Sequence, residues 1–288
     1  MPSNEWLFAT EKYIRVGCFL MFFFLLAWLE TRYTWRARQS AVFQRWGKHF
    51  SLTLLSKAAI RLVFPILLLQ TAMIAQKGNQ GVLNQIQIPY FLKFFLGFMA
   101  LDSMIYLHHR LMHRFKWFWY CHRVHHIDKE LDVSTGIRFH PIEELLSMAL
   151  KAFGVVFWGA PVLAVLIFEV LLNFGSLFTH TNIKLSNPME KYVRWFIVTP
   201  GMHRIHHSDN PLEFNSNFGF FLSIWDRIFG TYRPKALTGE NRLVLGQTDY
   251  REDKYQTLGS LLLHPFNLKK MRPRKKIPRK IVMRSHDE

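Results

Sequence analysis

Cysteine is nearly absent from this chain of 288 residues: Cys18 and Cys121 stand alone and far apart. Two thiols cannot build a disulfide framework, a zinc ribbon or a cysteine-ligated iron–sulfur cluster. A Gly-x-Gly-x-x-Gly fingerprint is missing too, and no haem domain is recognisable, so the chain offers no electron carrier of its own. Acids are scarce beside bases, 20 Asp and Glu against 37 Lys and Arg, for a net charge of +17. No acid falls between Arg32 and Arg61, where seven basic residues lie, and nine more crowd residues 269–284. That balance raises nucleic acid as a partner, but no nucleic-acid-binding motif accompanies it. Both basic groups flank apolar segments or follow the last one. Such flanks report cytoplasmic orientation and attraction to anionic lipid.

What abounds is apolar and aromatic. Half the residues are hydrophobic, with 27 Phe, 9 Trp and 9 Tyr, and they come in blocks that favour a bilayer over a soluble core. Residues 13–29 form the first block, which at about 1.5 Å per residue covers roughly 25 Å, enough for a span with snorkelling flanks. Residues 30–35 offer no small-residue cleavage site, so the block reads as a retained span rather than a signal peptide. A second block covers 57–75, with Pro65 as a kink, and Lys77-Gly78-Asn79-Gln80-Gly81 makes a tight connection. The third, 88–107, holds Lys93 and Asp102 and runs without a breaker into the histidines of 108–113. The fourth, 145–178, is divided by Gly159-Ala160-Pro161 and reads as a helical hairpin. Residues 181–264 are polar enough for a cap, with turn signals at Asn187-Pro188, Thr199-Pro200-Gly201 and Asp209-Asn210-Pro211.

The expected fold is an all-α integral membrane protein of about four transmembrane or re-entrant segments with a cytoplasmic helical cap. Three parts follow: N-terminal spans and a basic loop over 1–85, a catalytic region over 86–235, and a basic tail over 236–288. Two spans separate the basic 32–61 loop from the histidines, so both face the cytoplasm, whether the membrane is a bacterial inner membrane or endoplasmic reticulum.

Six of fourteen histidines fall within 108–126 and three more within 203–207, a density that no packing demand explains. Imidazole suits iron, copper, nickel or zinc. His109 and His113 stand four apart, hence on one helical face. Tyr106 and Asp102 continue that stripe. An acid in hydrocarbon is costly, and the natural role for Asp102 is to accept the free N–H of a ligating histidine. In His122-Arg123-Val124-His125-His126, positions 122 and 126 share a face, while 125 and 126 fan out far enough to serve different metals. His203-Arg204-Ile205-His206-His207 repeats the arrangement. A polyhistidine dimetal site follows. A membrane metal-binding or metal-transport protein is the alternative, but transporters place ligands near mid-span. A zinc hydrolase needs only about three ligands. His108 points to another face and reads as structural; His49, His264 and His286 read as surface residues.

These boxes, with the single histidine of Phe178-Thr179-His180-Thr181-Asn182 and the run Thr199-Pro200-Gly201-Met202-His203, resemble the fatty acid hydroxylase/sterol desaturase superfamily. Asn217-Phe218-Gly219 and Trp225-Asp226-Arg227-Ile228-Phe229-Gly230-Thr231-Tyr232 are similar to that family's ending, so the likeness covers roughly 90–235. The resemblance implies a membrane-bound, O2-dependent, non-haem di-iron oxidoreductase that hydroxylates or desaturates a lipid, sterol or fatty acyl. It implies two iron ions held by His109, His113, His122, His125, His126, His180, His203, His206 and His207. Some relatives carry a further histidine where Lys184 stands here. The family often has Pro-x-Glu at Pro141-Ile142-Glu143, which puts Glu143 beside the metals, with His140 an ambiguous neighbour. Asp102, Glu143, Asp209 and Asp226 are the carboxylates expected to offset the charge of irons held by neutral imidazoles. Electrons are expected from an external donor of ferredoxin or cytochrome b5 type, docking on a basic surface.

Overall fold

Residues 4–267 are described in a computed structural model, and among them all regular structure is helical apart from isolated bridges. In chain order the helices are α1 (Asn4–Arg32), α2 (Val42–Val63), α3 (Leu68–Lys77), α4 (Val82–Gln85), α5 (Tyr90–Arg114) and α6 (Lys116–His126). They continue with α7 (Pro141–Trp158), α8 (Val162–His180), α9 (Asn187–Val193), α10 (Pro200–His206), α11 (Pro211–Phe214), α12 (Ile224–Ile228) and α13 (Leu258–Leu263). The basic run 269–284 and His286 lie outside the described residues.

Four segments are long and apolar enough to cross a membrane: α1, the Val42–Gln85 run, α5 and α8. α7 and α8 form the expected hairpin. Gly159 turns it with φ 65°, and a Cβ there would meet the carbonyl oxygen of Gln80 at 2.8 Å, so only glycine fits. α5 packs on both arms, α1 on α8 and α2 on α7. Leu101, Ile105, Met148, Val155, Val165 and Phe168 fill the seam between them.

The second span differs from its sequence reading. Its helix starts fifteen residues earlier than 57, at Val42, breaks over 64–67 around Pro65 and restarts as α3. Proline lacks the donor N–H and pushes its predecessor out of the helical region, which accounts for the break. Much of the basic 32–61 stretch is therefore helix, and its cations find acids from remote sequence. Arg38 reaches Glu30 at 2.6 Å, Arg45 reaches Asp128 at 2.8 Å and Asp132 at 2.9 Å, and Lys57 reaches Glu144 at 2.9 Å. The three Pro signals of the cap are helix starts rather than plain turns. Proline is at home in the first turn, whose N–H groups lack intrahelical partners, and Thr199 and Asn210 cap α10 and α11 from their side chains.

Buried Glu30, at the end of α1, accepts the backbone N–H of Val133 at 2.7 Å and of Asn182 at 2.8 Å. It thereby ties the first span to the loops that follow α6 and α8, the helices that carry His122, His125, His126 and His180.

Candidate metal centre

α5 ends with His109 and His113 on the face that meets α6, and α6 carries His122, His125 and His126. α8 delivers His180 at its last residue; α10 and its C-cap deliver His203, His206 and His207. The nine imidazoles converge. His109, His113, His122, His126 and His206 form one group, and His125, His180, His203 and His207 another, with ligand atoms inside each group no more than 4.8 Å apart. The adjacent pairs 125/126 and 206/207 divide between the groups, and the rings of His126 and His207 stack at 4.4 Å where the groups adjoin.

Four of the rings are fixed through Nδ1. His109 donates to the Phe218 carbonyl at 2.7 Å, His206 to the Ser216 carbonyl at 2.8 Å, His180 to the Ser176 carbonyl at 2.6 Å, and His122 to Glu143 Oε1 at 2.6 Å. Each of these bonds selects the tautomer with a bare Nε2. Around the His180 Nε2 lone pair, the Nε2 atoms of His125, His203 and His207 lie at 2.9, 2.9 and 3.1 Å. One neighbour at most can donate to it, so the remaining lone pairs confront one another unless a cation sits among them. Ligands at right angles about 2.1 Å from a first-row ion stand about 3.0 Å apart, so the spacing fits. Ring nitrogens of His113 and His126, and Nε2 of His206, are also buried without a hydrogen bond, and a cation would engage one nitrogen of each ring. Burial pushes His122 down to about 3, and burial with neighbouring imidazoles pushes His125, His126, His203, His206 and His207 well below their ordinary range. The rings are neutral, as metal ligands must be.

The carboxylates are placed less as the sequence suggested. Glu143 does hold a histidine. Asp102 does not: its Oδ2 accepts the indole N–H of Trp225 at 2.7 Å, and the proton of His109 goes to the nearer Phe218 carbonyl instead. Asp226 touches no imidazole either. It accepts the N–H groups of Phe218 at 2.7 Å and Gly219 at 2.8 Å and the Thr231 hydroxyl at 2.7 Å. Asp226 thereby fixes the 216–219 segment, whose carbonyls in turn hold His109 and His206, whereas Asp102 anchors α12 to α5 through Trp225. Asp209 accepts from the Thr248 hydroxyl at the surface, away from both groups.

His140 belongs to neither group. Its Nδ1 caps α7 by accepting from Ile142 N–H and its Nε2 donates to the Leu262 carbonyl. Lys184 is exposed, leaving the second group with four members. Two surface readings are corrected: His49 is fully buried, 2.7 Å from the Ser134 hydroxyl, and His264 is buried, its Nε2 accepting from Arg123 at 2.7 Å. Sequence reasoning also missed Glu30, Asp128 and Asp132, whose partners come from distant segments.

A cavity of about 510 Å³ reaches the centre between α5, α7 and α8. At its inner end Phe220 packs 5.2 Å from His109 and Phe139 stacks 4.5 Å from His125, one ring against each group. Exposed Lys12, Leu54 and Arg61 among its lining mark an opening between α1 and α2.

An all-helical chain with membrane-length spans and a two-part polyhistidine centre is the class that fold and site define. Residues 94–231 match the fatty acid hydroxylase family. The chain is 31% identical to the ornithine lipid hydroxylase OlsE of Rhizobium tropici over 206 residues, 69% of this chain and 60% of that one. It is 32% identical to alkylglycerol monooxygenase of Xenopus tropicalis over 145 residues, 49% of this chain and 30% of the relative. Against a Delta(7)-sterol 5(6)-desaturase of Saccharomyces cerevisiae it is 28% identical over 155 residues, 54% of this chain and 38% of the relative. The family match and these relatives support the resemblance to the fatty acid hydroxylase/sterol desaturase superfamily. The chain spans 60% or less of the length of these relatives. No solved structure matches it.

Proposed function

We propose that the chain is a membrane-bound, non-haem di-iron oxidoreductase that uses O2 to hydroxylate or desaturate a lipid. The observation that carries this reading is the pair of adjoining histidine groups at the blind end of a cavity walled by membrane helices. The names of its relatives, a lipid hydroxylase, a monooxygenase and a desaturase, agree with it. A metal carrier has no comparable support, because the nine imidazoles sit at span ends and in the cap rather than along a path through the spans.

His109, His113, His122, His126 and His206 would hold one iron and His125, His180, His203 and His207 the other. Bound there, the irons would supply the oxygen activation that no side chain can perform on an unactivated C–H bond. The chain's own residues do the rest. The carbonyls of Ser176, Ser216 and Phe218 and the Glu143 carboxylate hold the rings so that their lone pairs converge. Phe139 and Phe220 exclude water from the inner end and press a substrate chain toward both groups. His113, alone among the nine, is half-buried, and exposed Arg110, Arg114 and Lys116 surround it. In this reading an acidic electron donor docks on that face, with the centre on the cytoplasmic side of a bacterial inner membrane or endoplasmic reticulum; the basic charge of the face supports it.

Lipid extracts from cells with and without the gene, compared by mass spectrometry, test the activity. A lipid gaining one oxygen or losing two hydrogens only in expressing, aerated cells supports the reading. Identical extracts under conditions where the protein holds its metal would overturn it.

A further inference from the structure

The cavity carries charge where a channel for plain hydrocarbon would carry none. Along it α7 presents Glu143, Ser147 and Lys151 at four-residue spacing, so one helix face leads from the His122 carboxylate partner to an ammonium. Eight residues at about 1.5 Å each put Lys151 roughly 12 Å down the helix from Glu143. Facing it from the other walls, Arg15 of α1 bonds Glu11 at 3.1 Å and Glu169 at 3.2 Å, and Lys57 of α2 bonds Glu144 at 2.9 Å. Those pairs engage the carboxylates. The Lys151 ammonium makes neither a hydrogen bond nor an ion pair with any described residue, although Glu144 and Glu169 attract it from a distance. Arg61, one helical turn from Lys57 on the same wall, is likewise unpaired and stands at the opening. Ionisable groups among membrane helices are costly and mark substrate paths.

We propose that the cavity selects lipids with an anionic head group, a carboxylate or a phosphate monoester, with Lys151 as its counter-ion and Arg61 at its entrance. The inference rests on the lipid-oxidation reading and sharpens it. Arg15 and Lys57 keep their acids, so an anion that passes the opening finds the unsatisfied Lys151 ammonium on the same helix face as Glu143, the partner of His122. The head group then sets which carbon stops beside Phe139 and Phe220.

The test is equilibrium binding to the purified full chain in phosphatidylcholine nanodiscs, with neither oxygen nor reductant. Radiolabelled hexadecanoate is displaced by hexadecyl phosphate, uncharged hexadecylglycerol or inorganic phosphate. The wild-type chain should hold hexadecanoate and hexadecyl phosphate about tenfold or more tighter than hexadecylglycerol, the worth of one charge-assisted contact. Lys151→Met should erase that preference, Lys151→Arg should keep it, and inorganic phosphate should displace nothing. Equal binding of charged and uncharged chains, or a preference that survives Lys151→Met, would overturn the proposal. Displacement by inorganic phosphate as effective as by hexadecyl phosphate would overturn it too, since the site would then be an anion site and not a lipid site. Unchanged metal content in both variants verifies that they fold. Because no turnover is measured, a chain that selects anions but oxidises nothing would sink the proposed function and leave this inference standing.

Discussion

Glu143 is the one carboxylate among the described residues that accepts a hydrogen bond from one of the nine histidines, His122 at 2.6 Å. Losing such a partner typically costs 10–100-fold in metal affinity or activity, roughly. Glu143→Ala should therefore lower the occupancy of the first group by about that factor, measured by titration with ferrous iron, while Glu143→Gln, which still accepts the N–H, should fall between. Asp226→Ala should act on the same group by a longer route, releasing the Phe218 carbonyl from His109. His264 gives a pH test. Burial and the Arg123 guanidinium push it from 6.5 down to about 3. The unfolded chain takes up its proton near 6.5 and the folded chain does not, so this contribution is complete above 6.5 and drains away as pH falls toward 3. His264→Gln keeps an acceptor for Arg123 and removes that slope, up to about 1.4 kcal/mol per pH unit, from thermal unfolding followed between pH 7 and 5. The histidines that gather in the two groups were picked out on α5, α6 and α10 by residue type and helical spacing, which are local signals, and at His180 by the family resemblance. The partner of Asp102 was not legible, since a shared helix face says nothing of which donor lies nearest. His49 and His264 were misread for the same reason: Ser134 and Arg123 approach them only through tertiary packing.

At the scale of elements, apolar blocks and Gly-Ala-Pro punctuation located α1, α5 and the α7–α8 hairpin, because span length and turn chemistry are written in contiguous residues. The start of α2 escaped, since a helix bearing Arg45, Lys48 and His49 reads as a polar loop until its acids are known. Arg45 sits nearly buried between Asp128 and Asp132 and docks α2 on the loop that follows α6. Removing one partner of such a set is expensive. Arg45→Met should lower unfolding stability by about 3–5 kcal/mol, read as a fall in the thermal midpoint in detergent. Gly159→Ala should be disruptive as well, forcing a Cβ to 2.8 Å from a backbone oxygen in a left-handed turn. In the cap, exposed Tyr192 in the last turn of α9 and exposed Trp195 and Phe196 just after it form a stretch suited to the headgroup region, so Trp195→Asp should weaken retention of the protein in membranes during alkaline washing.

Across the described residues, the division of labour is a set of apolar helices that walls a cavity and a cap that closes over the histidines. Under the proposed function electrons would come from another protein, and the exposed cations Arg110, Arg114 and Lys116, next to His113 in sequence, would be where that protein docks. Reduction by an acidic donor should slow as ionic strength rises, and Arg114→Glu with Lys116→Glu should slow it at low salt, both seen in single-turnover reduction. What the rest presupposes is that two metal ions sit side by side in this cap. Metal per chain, counted by mass spectrometry after anaerobic loading of the purified protein with ferrous iron, tests that most directly. Two irons in the wild-type chain, falling to one when His203 or His125 becomes alanine, is the predicted result; one iron or none in a folded wild-type chain would contradict it.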